Sequence, residues 1–425
     1  MLLPIILVSF LTFASALIDF LHKIPNILLD PLDKIPKIDF SPNPPEDASL
    51  SAIEIINKYG YNGETHNTIT SDGYVLGLDR ITGRVNSNSS QIQKPVALLM
   101  HGILCNSICW LFPGGKSLAF ILADAGYDVW LGNARGTKYS REHVQYSSNE
   151  KDYWNFSWHE IGTQDLPAMI DYVLETTGRE KLFYLGHSQG TTVFFTMASE
   201  RPEYQSKIEA MFALAPIVFC GRMKSPFFQI LSHFTISIKI MSELIGINEF
   251  TANNALIKKV QQMVCADDAI TQSLCSNAIF LVTGFNHEQM DKNLIPIVVE
   301  QFPDSVATKQ FIHYGQLINS GSIISAGKFK QYDHGIIANK KIYNQVKPPN
   351  YNLKKIQVPV VLHYSKNDWL ANVKDVENLY TELGNPFGKF LVPDKRFNHI
   401  DFMWAKNGKE LLYDYILDQM KQFLQ

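Results

Sequence analysis

The chain has 425 residues, 46% of them hydrophobic and 19% charged, with a formal net charge of −3. This composition builds a large core easily, and the length suits one such core with a sizeable insertion. The near-neutral charge, with no basic run and no base-stacking motif, excludes a nucleic-acid binder.

Residues 1–16 form a short apolar run that ends in Ala14-Ser15-Ala16. The pattern reads as a secretory signal peptide, too short for a membrane span, so no transmembrane span is expected in the mature chain. Residues 17–48 carry Pro25, Pro31, Pro36, Pro42, Pro44 and Pro45 and read as an N-terminal arm or propeptide. The folded body is expected from residue 49, with Ser49 capping a helix that ends at Gly60. Strands over 66–70 and 74–80 follow, joined by Ser71-Asp72-Gly73. Asn88 and Asn155 open Asn-X-Ser sequons and are the glycosylation candidates. A buried strand over 95–100 runs into His101-Gly102-Ile103-Leu104. Then come a helix over 117–124, a strand over 127–131 and a helix over 163–177.

The run Lys181-Leu182-Phe183-Tyr184-Leu185 is apolar and aromatic, as in a buried parallel strand. It leads into Gly186-His187-Ser188-Gln189-Gly190 and then a helix over 191–198. A serine between strand and helix, flanked by glycines, is a nucleophile elbow. After a strand over 208–215 the alternation of strand and helix stops. Residues 217–352 read as an apolar helical insertion, including stretches over 226–245 and 277–285, that caps the site. The alternation returns with a strand over 358–364, Asp368 just past its end, a helix over 374–383, a strand over 388–392, His399 in the next loop and a closing helix over 408–424. The fold class is therefore α/β: a mostly parallel sheet of α/β-hydrolase type, with core over 49–216 and 353–425 and a helical cap between.

Ser188, Asp368 and His399 each follow a strand, so all three meet at one sheet edge. A serine hydroxyl needs a neighbouring base to become a nucleophile; an imidazole supplies it, and a carboxylate fixes that imidazole's tautomer. Backbone N–H groups of Ile103 and Gln189 are the candidate oxyanion donors. His101 and His187 flank these elements as supporting residues, and His363 is expected in the core. Asp401 stands too close to His399 in sequence to orient it, and Asp375 is expected to be solvated on its helix. This chemistry uses no cofactor, and no CxxC pair or His/Cys cluster suggests a metal. Cys265 and Cys275 would close a short loop and are the preferred disulfide among five cysteines, with the pairing of Cys105, Cys109 and Cys220 open.

The stretches Thr70-Ser71-Asp72-Gly73-Tyr74, His101-Gly102-Ile103-Leu104, residues 117–136, Gly186 to Thr192, Cys275-Ser276-Asn277-Ala278, Lys328 to Asp333 and Asn398-His399-Ile400-Asp401-Phe402 together resemble the acid lipases, the gastric and lysosomal group of α/β-hydrolases. The resemblance covers roughly residues 49–425. It implies a secreted or lysosomal ester hydrolase acting on triacylglycerols or cholesteryl esters, neutral lipids met at a lipid–water interface. It places the nucleophile on Ser188, the acid on Asp368, the histidine on His399, the oxyanion donors on Ile103 and Gln189, and a cap disulfide on Cys265 and Cys275. The run 320–327 is longer than the family pattern, and Cys105 and Cys109 depart from it. A lipid carrier with an idle site and a short-chain esterase are the alternatives. Oligomeric state and the choice between triacylglycerol and sterol ester stay open.

Overall fold

The computed structural model describes residues 46–86, 93–251 and 282–424. The leader, the Pro-rich arm, Asn88, Cys265, Cys275 and most of the helix expected over 277–285 lie outside the described residues. Helix α1 (Ala52–Lys58) is capped by Ser51 rather than Ser49. A capping box needs Glu three residues on, and only Ser51 has it: Ser51 Oγ accepts from Glu54 N–H, while Glu54 Oε2 accepts from Ser51 N–H at 2.8 Å. Strands β1 (Tyr61–Ile69) and β2 (Tyr74–Arg84) form an antiparallel hairpin that reaches further from its turn than expected, to residues 61 and 84 rather than 66 and 80. Most of β1 is solvent-facing at the sheet edge, so its polar residues hide its strand character.

The core continues with β3 (Val96–Met100), α2 (Leu118–Asp124), β4 (Asp128–Gly132) and the short β5 (Glu142–His143). Then come α3 (Leu166–Thr177), β6 (Leu182–His187), α4 (Gln189–Glu200) and β7 (Ile208–Leu214). The next stretch holds α5 (Pro226–His233), α6 (Thr235–Ile245), β8 (Glu249–Phe250), α7 (Ile295–Gln301), β9 (Val306–Ala307), α8 (Thr308–Ile318) and α9 (Ile336–Tyr343). The chain returns to the sheet with β10 (Val360–Tyr364), α10 (Val373–Glu382) and β11 (Pro386–Leu391), and closes on α11 (Asp414–Lys421).

The main sheet has the order β1-β2-β4-β3-β6-β7-β10-β11, with β5 on β2. From β4 to β11 all pairings are parallel, and β3, β4 and β6 are buried along their whole length. This is the signature of a sheet covered on both faces, and it collects the loops after β3, β6, β10 and β11 at one edge. Among the described residues, the segment between β7 and β10 adds no strand to this sheet; β8 and β9 pair only with each other. The single helical stretch expected over 226–245 breaks at Phe234. There Thr235 Oγ1 donates to Ser232 O at 2.7 Å, a local bond that competes with the helical ladder.

Asp375 corrects an expectation. It is 2% exposed, and it accepts from the Arg222 N–H at 2.9 Å and the Arg222 guanidinium at 2.6 Å. Its position on the first turn of α10 suggested solvent; its partner lies far away in sequence and was invisible from the helix alone. Arg222 also donates to the carbonyls of Ile323 and Ile324. Those two residues occupy a turn closed by Ser322 and Ser325 and are 89% and 90% exposed. Cys105, Cys109 and Cys220 are buried free thiols. Asn155 is exposed, with its side-chain oxygen 3.0 Å from Lys309 Nζ. Among the described residues no helix is long and apolar enough to cross a membrane.

Candidate active site

Ser188 sits between β6 and α4 with φ 53° and ψ −117°. Few non-glycine residues adopt this backbone, and it stores strain at the turn. The surroundings hold it there. Ser188 N–H donates to Leu214 O at 3.0 Å, and Ser188 O accepts from Thr191 N–H at 2.9 Å and Thr191 Oγ1 at 2.6 Å. The two flanking glycines are required by space. A Cβ on Gly186 would lie 2.6 Å from Gly190 O, and one on Gly190 would lie 2.2 Å from Met100 O.

Asp368 follows β10, and His399 follows β11. His399 Nδ1 lies 2.8 Å from Asp368 Oδ2. The other carboxylate oxygen accepts from the N–H groups of Leu370 and Ala371, both at 2.8 Å, so Asp368 is fixed from two sides. Both residues are buried. His399 Nε2 is buried with no hydrogen-bond partner among the described residues. An orphaned polar atom of this kind calls for an explanation, and a base awaiting a proton supplies one. His187, next to Ser188, donates from Nε2 to His399 O at 2.9 Å, and the two rings lie 4.9 Å apart.

Gly102, the residue before Ile103, passes directly beside the serine: a Cβ on it would touch Ser188 Cβ at 3.0 Å. Gln189 opens α4, where first-turn N–H groups have no partner within the helix. Both candidate oxyanion donors therefore belong to backbone beside Ser188. His101 spans the turn, with Nδ1 2.7 Å from Gly102 O and Nε2 accepting from Ala134 N–H at 3.1 Å. Burial pushes His101 down to about 4 and His187 well below its ordinary value. In both rings burial favours the neutral form beside His399. His363 is buried against Gln419 in the core.

The sequence did not disclose the residues that carry the His399 loop. His399 N–H donates to Thr283 O, and Asn398 Nδ2 donates to Gly284 O at 2.8 Å. Asp401 accepts from Asn398 N–H at 2.8 Å and Asn286 Nδ2 at 2.7 Å. Thr283, Gly284 and Asn286 lie more than a hundred residues before His399, and no local pattern in the sequence links them to it. Burial pushes the Asp401 carboxyl up to about 8, helped by the charges of Asp394 and Asp368 and opposed by those two N–H donors. A carboxyl raised on folding contributes its stability in full below its unfolded value, about 4, and loses it as pH rises through the folded value. The thermal midpoint is therefore expected to fall between pH 4 and 8, and Asp401→Asn, which has no proton to lose, to flatten that slope in thermal melts.

Comparison with known proteins places this geometry. Residues 52–114 match the family profile described as a partial alpha/beta-hydrolase lipase region, and residues 95–234 match that of the alpha/beta hydrolase fold. Lipase 1 of Drosophila melanogaster is 40% identical over 374 residues, 88% of this chain and 80% of its own length. Lysosomal acid lipase/cholesteryl ester hydrolase of Homo sapiens is 34% identical over 379 residues, covering 89% and 92%. Gastric triacylglycerol lipase of Bos taurus is 35% identical over 380 residues, covering 88% and 92%. Among solved structures, a soluble variant of monoglyceride lipase from Saccharomyces cerevisiae matches with a TM-score of 0.51 at 14% identity, over 90% of this chain and 98% of that one, a likeness of fold alone.

Proposed function

The chain belongs to the acid lipase family of α/β-hydrolases, and from that premise we propose that it hydrolyses neutral-lipid esters through an acyl-enzyme on Ser188. The observation that carries this reading is the 2.8 Å Asp368–His399 pair, whose free Nε2 is buried in the same site as a strained serine. His399 Nε2 takes the Ser188 proton as Oγ attacks the ester carbonyl, then passes it to the leaving alcohol. Water, activated by the same nitrogen, releases the fatty acid. The Ile103 and Gln189 N–H groups receive the oxyanion in both steps.

The substrate is a triacylglycerol, a cholesteryl ester or both, the classes named by the relatives. Exposed apolar surface supports a greasy partner. Ile236, Ile240 and Leu244 are exposed one turn apart along α6, and the Ile323-Ile324 turn stands clear of the body. Residues 217–352 are then a cap between the two parts of the core, 49–216 and 353–425. The protein works in the lysosome or the extracellular lumen, with Asn155 open to glycosylation. The test is fatty-acid release from emulsified triolein and cholesteryl oleate between acid and neutral pH, beside a soluble short-chain ester. Release from either emulsion, with Ser188 labelled by a fluorophosphonate, is expected. Cleavage of the short-chain ester alone would replace the lipase reading with a short-chain esterase, and an unlabelled Ser188 would leave a carrier.

A further inference from the structure

We propose that Asp304, in the segment between β7 and β10, is a positioning residue that holds the oxyanion turn in its working shape; this rests on the reading of Ile103 as an oxyanion donor. The turn itself is strained. Leu104, immediately after Ile103, has φ +65°, a left-handed conformation that bulky side chains rarely adopt. No glycine stands there to relieve it. A residue held in such a region persists only where its surroundings impose it.

Within the turn, Cys105 N–H donates to Gly102 O at 3.3 Å, which closes the loop locally. Asp304 takes hold of Leu104 itself and of Asn106, two residues on. Its main-chain N–H donates to Leu104 O at 2.7 Å. Its carboxylate accepts from Asn106 Nδ2 at 2.7 Å. The same carboxylate accepts from Lys138 N–H, at 3.0 and 3.2 Å to its two oxygens, and from its own neighbour Ser305 N–H at 2.6 Å. Asn106 is itself committed on its other side, with Oδ1 accepting from Ile108 N–H at 2.9 Å.

The consequence is a clamp across one strained residue. Gly102 is pinned by packing against Ser188 and by its carbonyl's contact with His101. Asn106 is pinned by Asp304. Between these two fixed points the Gly102–Ile103 peptide has one orientation, and Leu104 must bend to meet it. Without Asp304, Leu104 relaxes towards negative φ and rotates the Ile103 N–H away from the serine. The clamp also ties the oxyanion turn to the segment that covers the site, because Asp304 lies just before β9. Burial pushes the Asp304 carboxyl up, while its N–H donors pull it down.

The test compares Asp304→Ala and Asp304→Asn with the wild-type enzyme on one emulsified ester. Losing one oxyanion donor outright costs about 10²–10³ in rate, so misplacing it by releasing the clamp should lower kcat roughly 10–100-fold. KM should stay within a few fold, since substrate binding does not use this N–H in the ground state. Asp304→Asn keeps the shape and one carbonyl oxygen but turns an NH₂ towards an existing donor, so it should fall between the two. A kcat per folded molecule within twofold of wild type in both variants overturns the proposal, and so does a loss that follows only the fraction unfolded. Failure of the underlying reading looks different: wild-type protein that neither turns over ester nor takes a fluorophosphonate on Ser188 fails before Asp304 is touched.

Discussion

Replacing Ser188 by Ala lowers kcat by roughly 10⁵–10⁶-fold, the loss expected when the nucleophile of a triad is removed. The thermal midpoint stays near that of the wild type. Alanine keeps the Cβ, so the backbone strain at φ 53° remains, and the lost hydroxyl makes no hydrogen bond that supports the turn. Ser188→Gly separates the two roles of the position. It is equally inactive, but glycine tolerates this backbone, and relief of about 1–3 kcal/mol should raise the midpoint by several degrees. Turnover assays and thermal melts on the three proteins read both effects. Ester cleavage by Ser188→Ala near the wild-type rate would remove the nucleophile assignment, and a Ser188→Gly variant no more stable than Ser188→Ala would remove the strain.

Asp368→Asn is the second large effect, about 10⁴-fold in kcat with the fold intact. The reason lies in how the carboxylate is held. One oxygen accepts from the N–H groups of Leu370 and Ala371, so the amide of an asparagine places its carbonyl there. Its NH₂ then faces His399 Nδ1, where the wild type offers an acceptor. The imidazole must accept at Nδ1 and carry its proton on Nε2, the one atom that has to be free to take a proton from Ser188. Kinetics beside a thermal melt test this. A variant that keeps more than a tenth of wild-type kcat would remove Asp368 as the residue that orients His399.

The parts of this site that were legible in the sequence are those whose signal is local. Ser188 announces itself because strand, glycines and helix lie within one short stretch. Asp368 and His399 could be found because each follows a strand and the sheet collects strand ends. What escaped depends on partners distant in the chain. Asp375 reads as a surface residue of α10 until Arg222 is brought to it. Asp304 has no motif, and its importance comes from meeting Leu104 and Asn106. Asn286 and Thr283 support His399 from a segment with no visible link to it. The cap of α1 was different: the rule was local, and the Glu54 partner decided for Ser51 over Ser49.

The sheet order bears on how the chain is made. Strand β7 ends at Leu214, and its neighbour β10 begins only at Val360. Until residues beyond 360 are synthesised, β7 is an open edge of almost wholly apolar character, the kind of surface on which nascent chains pair with one another. Closing that edge joins segments far apart in sequence, so folding is slow by the measure of contact order. The exposed edge is open throughout the synthesis of residues 215–360, and that is the window in which chaperone cover is expected to matter most.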